Sequence, residues 1–232
     1  EVAAKGSPLW PVLEGYQQLG LNMDLLIAFE PEPRARLLCL VMEELGWGDA
    51  GLAISLATSL NPQLTAHEFG NQYLLDKYPD TMLGCWAITQ PDHGSDSLDV
   101  SKQVFHPQGN YGRPNCVATL KSDKVVLNGQ FSAWVSNGTI AELAVVYCAG
   151  DSGNGPDPEG GCVVMVPLNL PGISRGKPLE KMGQRALNQG EIFFDNVELP
   201  LDHIVANPKH YKKAVYAKLS EANALMGGIF TG

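Results

Sequence analysis

Three stretches of this chain carry residue types that could hold a ligand or act on one. In Trp86-Ala-Ile-Thr-Gln-Pro-Asp-His-Gly-Ser-Asp96, an apolar run over 85–88 breaks at Pro91 into a turn of small and polar residues. A strand ending there delivers Thr89 and Ser95 to an exposed edge, where hydroxyls and backbone N–H groups are free to bind. The same pattern also describes a capped loop with no ligand. The second stretch, Trp134-Val-Ser-Asn-Gly138, reads as the end of a strand over 131–136. A period of two puts Trp134 and Ser136 on one face of it. An indole beside a hydroxyl suits a planar heteroaromatic ligand, through stacking plus one hydrogen bond; a core tryptophan before a turn would have the same spelling. The third stretch, Lys181-Met-Gly-Gln-Arg185, reads as a polar loop entering a β-hairpin that contains Glu191-Ile-Phe-Phe-Asp-Asn-Val-Glu-Leu-Pro200, and by itself would be structural.

The elements that position these stretches change character at Gly84. Residues 1–83 read as helical: a short helix over 11–19, then one over 32–45 with Leu37, Val41 and Leu45 every four residues and Gly46 and Gly48 as its stop. Asp49 is the expected N-cap of a helix over 50–59, and Asn61-Pro62 is expected to cap and open a third, to about Tyr78. From Gly84 to about Val205 short β-type runs alternate with turn residues, at 85–89, 116–121, 125–127, 131–136, 143–149, 162–167 and 191–194. Asp123-Lys124 and Asn128-Gly129 sit where tight connections belong, and 151–161 reads as a loop. This spacing suggests an antiparallel barrel or sandwich. Pro208 marks a return to helix, continuing through 214–225. That helix has an apolar face with nothing after it to meet, so the chain reads as cut. The expected architecture is α+β: a helical domain over 1–83, a β domain over 84–206, and the first helix of a missing helical bundle over 207–232.

Composition narrows the functions. At 44% hydrophobic and 18% charged residues the 232-residue chain is globular, and its formal net charge of −9 argues against nucleic acid and anionic membrane surfaces. No run of 18 apolar residues predicts a membrane span. No secretory signal is visible, and opening at Glu1 reads as trimming. Five scattered cysteines, most inside apolar runs, read as reduced core thiols of an intracellular compartment, and the five histidines show no ligand spacing; no metal is expected.

Read together, the three stretches resemble the acyl-CoA dehydrogenase family in order and spacing. Its members carry an aromatic, Thr-Glu-Pro and Gly-Ser-Asp turn, a Trp-Ile-Thr-Asn-Gly strand end, and a Lys-Met-Gly-x-Arg segment leading to Phe-Phe-Asp-x-Val-x-Val-Pro. This chain matches at Trp86, Thr89, Pro91, Gly94-Ser95-Asp96, Trp134, Asn137-Gly138, Lys181-Met182-Gly183, Arg185, Phe193-Phe194-Asp195, Val197 and Pro200. Met42-Glu43-Glu44-Leu45-Gly46 also resembles the family's N-terminal helical domain, so the likeness covers roughly residues 32–232. The resemblance implies FAD between the middle domain and a C-terminal four-helix domain, and removal of one hydrogen from each of the α and β carbons of an acyl-CoA. A carboxylate takes the α proton and flavin N5 the β hydride. It places Trp86, Ile88 and Thr89 at the flavin, the last two at its pyrimidine side. Trp134 lies against the ring system, Ser136 reaches towards N5, and Ser95 sits near the pyrophosphate and the substrate entrance. Uncharged donors there stabilise a reduced flavin without a competing proton acceptor. The resemblance further implies an electron-transfer flavoprotein or another electron acceptor, a homo-oligomer (dimer or tetramer), and the bacterial cytoplasm or the mitochondrial matrix.

Several positions depart from the family pattern. Gln90 stands for the usual Glu, Asp92-His93 for Gly-Ala, and Ser136 for Thr; an insertion between Asp96 and Lys124 carries His106, Tyr111 and Arg113. A minority of the family places its catalytic Glu six residues before a Gly-Gly pair on the first C-terminal helix, and Glu221 precedes Gly227-Gly228 by that spacing. Those relatives usually follow the Glu with Arg, where this chain has Ala222; a base beyond Gly232 and a solvated helix glutamate are the alternatives. The same fold also hosts acyl-CoA oxidases and flavin-dependent oxygenases, and a catalytically silent or split subunit would keep the β domain without turnover.

Overall fold

The computed structural model describes residue 4, residues 6–99 and residues 112–218. Helices α1 (Leu9–Gln18), α2 (Met23–Ile27), α3 (Pro31–Ser59), α4 (Asn61–Glu68) and α5 (Gln72–Lys77) precede the sheet. Helix α3 is two helical segments that meet at Asp49, whose backbone is non-helical (φ −161°, ψ 112°), so the first segment stops at Gly48, within the Gly46–Gly48 stretch expected to end it. Asp49 does cap the second segment, its Oδ1 accepting from Leu52 N at 2.8 Å. Asn61, expected as a cap, is instead the first residue of α4, and its Oδ1 accepts from Lys218 Nζ at 2.7 Å. The third helix also divides in two at Gly70 (φ +66°), where Asn71 starts α5 by accepting from Leu74 N.

The strands are β1 (Gly84–Ala87), β2 (Cys116–Leu120), β3 (Lys124–Phe131), β4 (Leu143–Asp151), β5 (Asp157–Pro167), β6 (Ile173–Arg175), β7 (Ile192–Pro200) and β8 (Ile204–Ala206). They form one sheet in the order β6-β7-β3-β2-β4-β5-β8, with β1 beside β4. Pairing is antiparallel except where β1 and β2 run parallel to β4. Strand β4 is the spine: its first eight residues are all buried. On one face Ala144, Val146 and Cys148 join Leu127, Phe131, Val164 and Val197, which come from strands far apart in the order, so the sheet curves around that core. On the other, Leu143, Val145 and Tyr147 meet Leu74 and Tyr78 of the α5 region and Tyr211, Ala214 and Val215 from helical residues 211–218. A strand covered on both sides reads as a continuous apolar run rather than an alternating one.

Three sequence expectations fail here for tertiary reasons. Asn128-Gly129 is a bulge inside β3, not a hairpin turn. Gly129 (φ +123°) lies so close to Asn115 O that any Cβ would overlap it. The loop expected over 151–161 is shorter, since residues 157–161 already begin β5. The strand expected over 131–136 ends at Phe131, since Ser132 N turns to donate to Thr89 O at 2.9 Å instead of extending the ladder. No helix among the described residues is long and apolar enough to cross a membrane.

Candidate functional site

The turn after β3 is where the site is built. Trp134 is not on a strand face but in this turn, 61% exposed, and Ser136 makes an isolated bridge to Gln189. The turn is anchored from below by Asn137, which is fully buried in a left-handed conformation (φ 62°). Its Nδ2 donates to Ser55 O at 2.8 Å and to Gly84 O at 3.1 Å, while its Oδ1 accepts from Ser55 Oγ at 2.7 Å. One side chain thus ties the turn to α3 and to the start of β1. Gly138 follows because a Cβ there would stand 2.2 Å from Gly190 O. Left-handed backbone is tolerated by Asn and Gly more readily than by other residues, so the Asn-Gly spelling was the available signal, although it pointed to no partner.

The loop before β7 holds the turn from the side. Lys181 Nζ donates to Leu187 O at 2.7 Å and to Gln189 Oε1 at 2.9 Å. Gln189 Nε2 donates to Trp134 O at 3.2 Å and to Ser136 Oγ at 3.4 Å. Leu187 is buried against Met42, Ala53 and Ile54, so the Lys181-Met-Gly stretch docks the β domain onto α3. Burial lowers the Lys181 pKa. Met182 and Arg185 of the same stretch are exposed.

The turn after β1 is a second, separate corner. Thr89 is half-buried and its carbonyl meets Ser132, which brings the end of this stretch to the Trp134 turn. Ile88 is 9% exposed, with the half-buried Trp86 packed against the same helix-facing core. Trp86 meets Tyr147 edge-on, and its Nε1 is buried with no hydrogen-bond partner among the described residues. Ser95 is exposed at the start of a 3₁₀ turn, Ser95–Leu98. No hydrogen bond or ring contact among the described residues joins Trp86 or Ser95 to Trp134. Glu221, His106, Tyr111 and Gly227-Gly228 lie outside the described residues.

Residues that depart from the family pattern close this corner on itself. Gln90 Oε1 accepts from Asn115 N at 2.7 Å and Cys116 N at 3.1 Å, seating the start of β2. Asp92 and Asn115 exchange two bonds. The buried His93 has Nδ1 at 2.8 Å from Asp96 Oδ2 and Nε2 at 3.1 Å from Arg113 O. The imidazole therefore braces the corner instead of facing the Trp134 turn. Beside it opens a pocket of about 400 Å³, mouth included, whose lining includes Gln90, Asp96, Asp99, Tyr147, Glu159 and Tyr211; no residue of the Trp134 turn lines it.

Burial pushes the Cys85 and Cys162 thiols up to about 12, and Cys148 is raised well above its ordinary value, chiefly by its hydrogen bond with Cys116.

Residues 85–197 match the family model described as acyl-CoA dehydrogenase, middle domain. The glutaryl-CoA dehydrogenase of Desulfococcus multivorans is 30% identical over 198 residues, covering 82% of this chain and 46% of that protein. A glutaryl-coenzyme A dehydrogenase–glutaryl-CoA complex superposes with a TM-score of 0.67 at 27% identity, over 82% of this chain and 46% of the other. An FAD complex of PigA reaches 0.70 at 21% identity, over 84% and 49%, a likeness of fold alone. Residues 85–197 thus match an acyl-CoA dehydrogenase middle domain, and the chain spans about half the length of the curated relatives it matches.

Proposed function

We propose that the whole protein binds FAD against the Trp134 turn and dehydrogenates an acyl-CoA across its α and β carbons. The observation that carries this is the 61%-exposed indole of Trp134 beside Ser136 on a turn whose base is fully buried. A large aromatic left open on a rigid support gains most from a flat partner. The orphaned Nε1 of Trp86 is a second donor in want of an acceptor, and an unmet buried donor costs roughly 1–3 kcal/mol. The residues present fit a flavin: Trp134 stacks, Ser136 and Thr89 offer hydroxyls, Trp86 offers a donor, and Ile88 supplies apolar contact. FAD, when bound, supplies the hydride acceptor.

The protein's own part is to bind, orient and move a proton. Ser95 serves the substrate entrance. A carboxylate takes the α proton: Glu221 is the candidate that this chain's spacing offers, with a base beyond Gly232 as the alternative. A glutaryl-CoA dehydrogenase among the relatives supports a short acyl group. An electron-transfer flavoprotein re-oxidises the enzyme, which works as a homo-oligomer.

The test is the absorption spectrum of the full-length protein, followed by titration with acyl-CoAs of increasing length. A flavin spectrum that bleaches with one acyl-CoA and recovers slowly in air supports the dehydrogenase. Rapid recovery in oxygen would turn the assignment to an oxidase or oxygenase, and a colourless full-length protein would sink it.

A further inference from the structure

We propose that Gln189 is a positioning residue, oriented by Lys181, which commits the hydroxyl of Ser136 to donate its proton to a ligand on the exposed side of the Trp134 turn. The inference rests on the flavin site proposed above and says which way one of its groups points.

A glutamine amide has an acceptor end and a donor end, and its orientation is set by its neighbours. Here Lys181 Nζ stands 2.9 Å from one end. An ammonium only donates, so that end is Oε1. The other end, Nε2, therefore faces the Trp134 turn, where one hydrogen meets Trp134 O at 3.2 Å and the other meets Ser136 Oγ at 3.4 Å. Ser136 Oγ is thus an acceptor on its protein side. Its own proton has no acceptor among the described residues, and the half-exposed side chain sits next to the exposed indole. The ammonium is itself fixed by Leu187 O at 2.7 Å on a loop buried against α3. Gln189 is also held by its backbone, with Leu179 N donating to Gln189 O at 2.9 Å. The polarity of the relay runs one way, from ammonium to amide to hydroxyl to ligand. A ligand at the Trp134 face is met by the hydroxyl proton, with one of the oxygen's two lone pairs already taken by Gln189.

Gln189→Glu reverses this polarity with little change of shape. A carboxylate keeps its contact with Lys181 but presents a second acceptor to Ser136, whose proton then turns inward. Four full-length, flavin-loaded proteins are compared: parent, Ser136→Ala, Gln189→Glu and the double variant. The midpoint potential of bound FAD gives the ratio of affinities for its reduced and oxidised forms. Each single variant is expected to lower that ratio about 5-fold, the worth of one net hydrogen bond, with the double variant no lower than either. Additive losses overturn the inference, since Gln189 would then act apart from Ser136. A potential unchanged in Ser136→Ala overturns the placement of Ser136 at the flavin as well, which separates the two failures. If Gln189→Glu sheds its flavin, Lys181→Met takes its place in the same cycle, because an amide freed from the ammonium loses its enforced orientation; additivity there is equally fatal.

Discussion

The turns after β1 and after β3 make an instructive pair. Both follow strands of the same sheet, both are rich in small polar residues, and the bond from Ser132 N to Thr89 O joins them. In the first, polar side chains face one another: Gln90, Asp92, His93, Asp96 and Asn115 bind each other or nearby backbone. In the second, the buried groups are equally well met, through Asn137, but the indole of Trp134 and the proton of Ser136 are left facing out. A polar corner that satisfies itself braces a fold. One that is pinned underneath and open above is ready for a ligand. Residue type does not distinguish the two; the destination of each hydrogen bond does.

The contrast predicts four separable outcomes. The largest is at the anchor of the open turn. Asn137→Ala strips Ser55 and Gly84 of buried partners and places alanine in left-handed backbone, so unfolding in urea should show a loss of about 3 kcal/mol. A loss below about 1 kcal/mol, in the range of an ordinary surface change, would mean the turn is not pinned from beneath.

Trp134→Ala should do the reverse. In the full-length protein FAD binding weakens by about 1–3 kcal/mol, while unfolding free energy of the flavin-free protein stays within about 0.5 kcal/mol of the parent. Fluorescence titration with FAD and urea denaturation read the two halves. A variant that unfolds easily but binds normally would make Trp134 a structural residue after all.

At the closed corner, His93→Ala should cost about 1–2 kcal/mol of stability through two lost hydrogen bonds, with FAD affinity unchanged. Weakened FAD binding at unchanged stability would place the imidazole in the binding machinery.

The smallest effect concerns a third polar corner, where α5 meets the residues before β8. His203 is 2% exposed; its Nδ1 lies 2.9 Å from Met165 O and its Nε2 3.2 Å from Lys77 Nζ. Since a carbonyl only accepts and an ammonium only donates, the ring is neutral with its proton on Nδ1. Burial lowers its pKa below the ordinary 6.5, and Lys77 lowers it further. The unfolded chain therefore takes up the proton first. The His203 contribution is complete above about pH 6.5 and is lost as pH falls through the lower folded value, with a slope of at most about 1.4 kcal/mol per pH unit. Urea midpoints measured from pH 7 downwards should fall more steeply in the parent than in His203→Gln; parallel curves would refute the assignment.

Some features were legible in residue order alone because their causes are local. Asp49 caps a helix whichever partner it packs against, and the continuous apolar runs of β4 and β5 could only be buried strands. The three quoted stretches mark the two corners and the loop that braces the second of them, and their joint spacing carries the resemblance to the family. What residue order misplaced depends on long-range partners. A strand was expected through Trp134 because the alternation continues, yet Ser132 N finds Thr89 O from β1 and the ladder stops. Asn128-Gly129 spells a hairpin, but Asn115 passes behind it and makes it a bulge. Gln90, Asp92 and His93 look like additions to a site, and it takes Asn115, Asp96 and Arg113 to show that they close a corner. Gln189 carried no signal, since its role comes from Lys181 on one side and Ser136 on the other. The sequence by itself determined the class of fold, the helix starts set by their own caps and the aromatic and hydroxyl residues offered to a ligand, because period, capping and turn chemistry act over a few residues. Which polar groups are spent on each other and which are left for a ligand was decided only by the tertiary structure, because a hydrogen bond between residues fifty positions apart exists only once the intervening chain has folded.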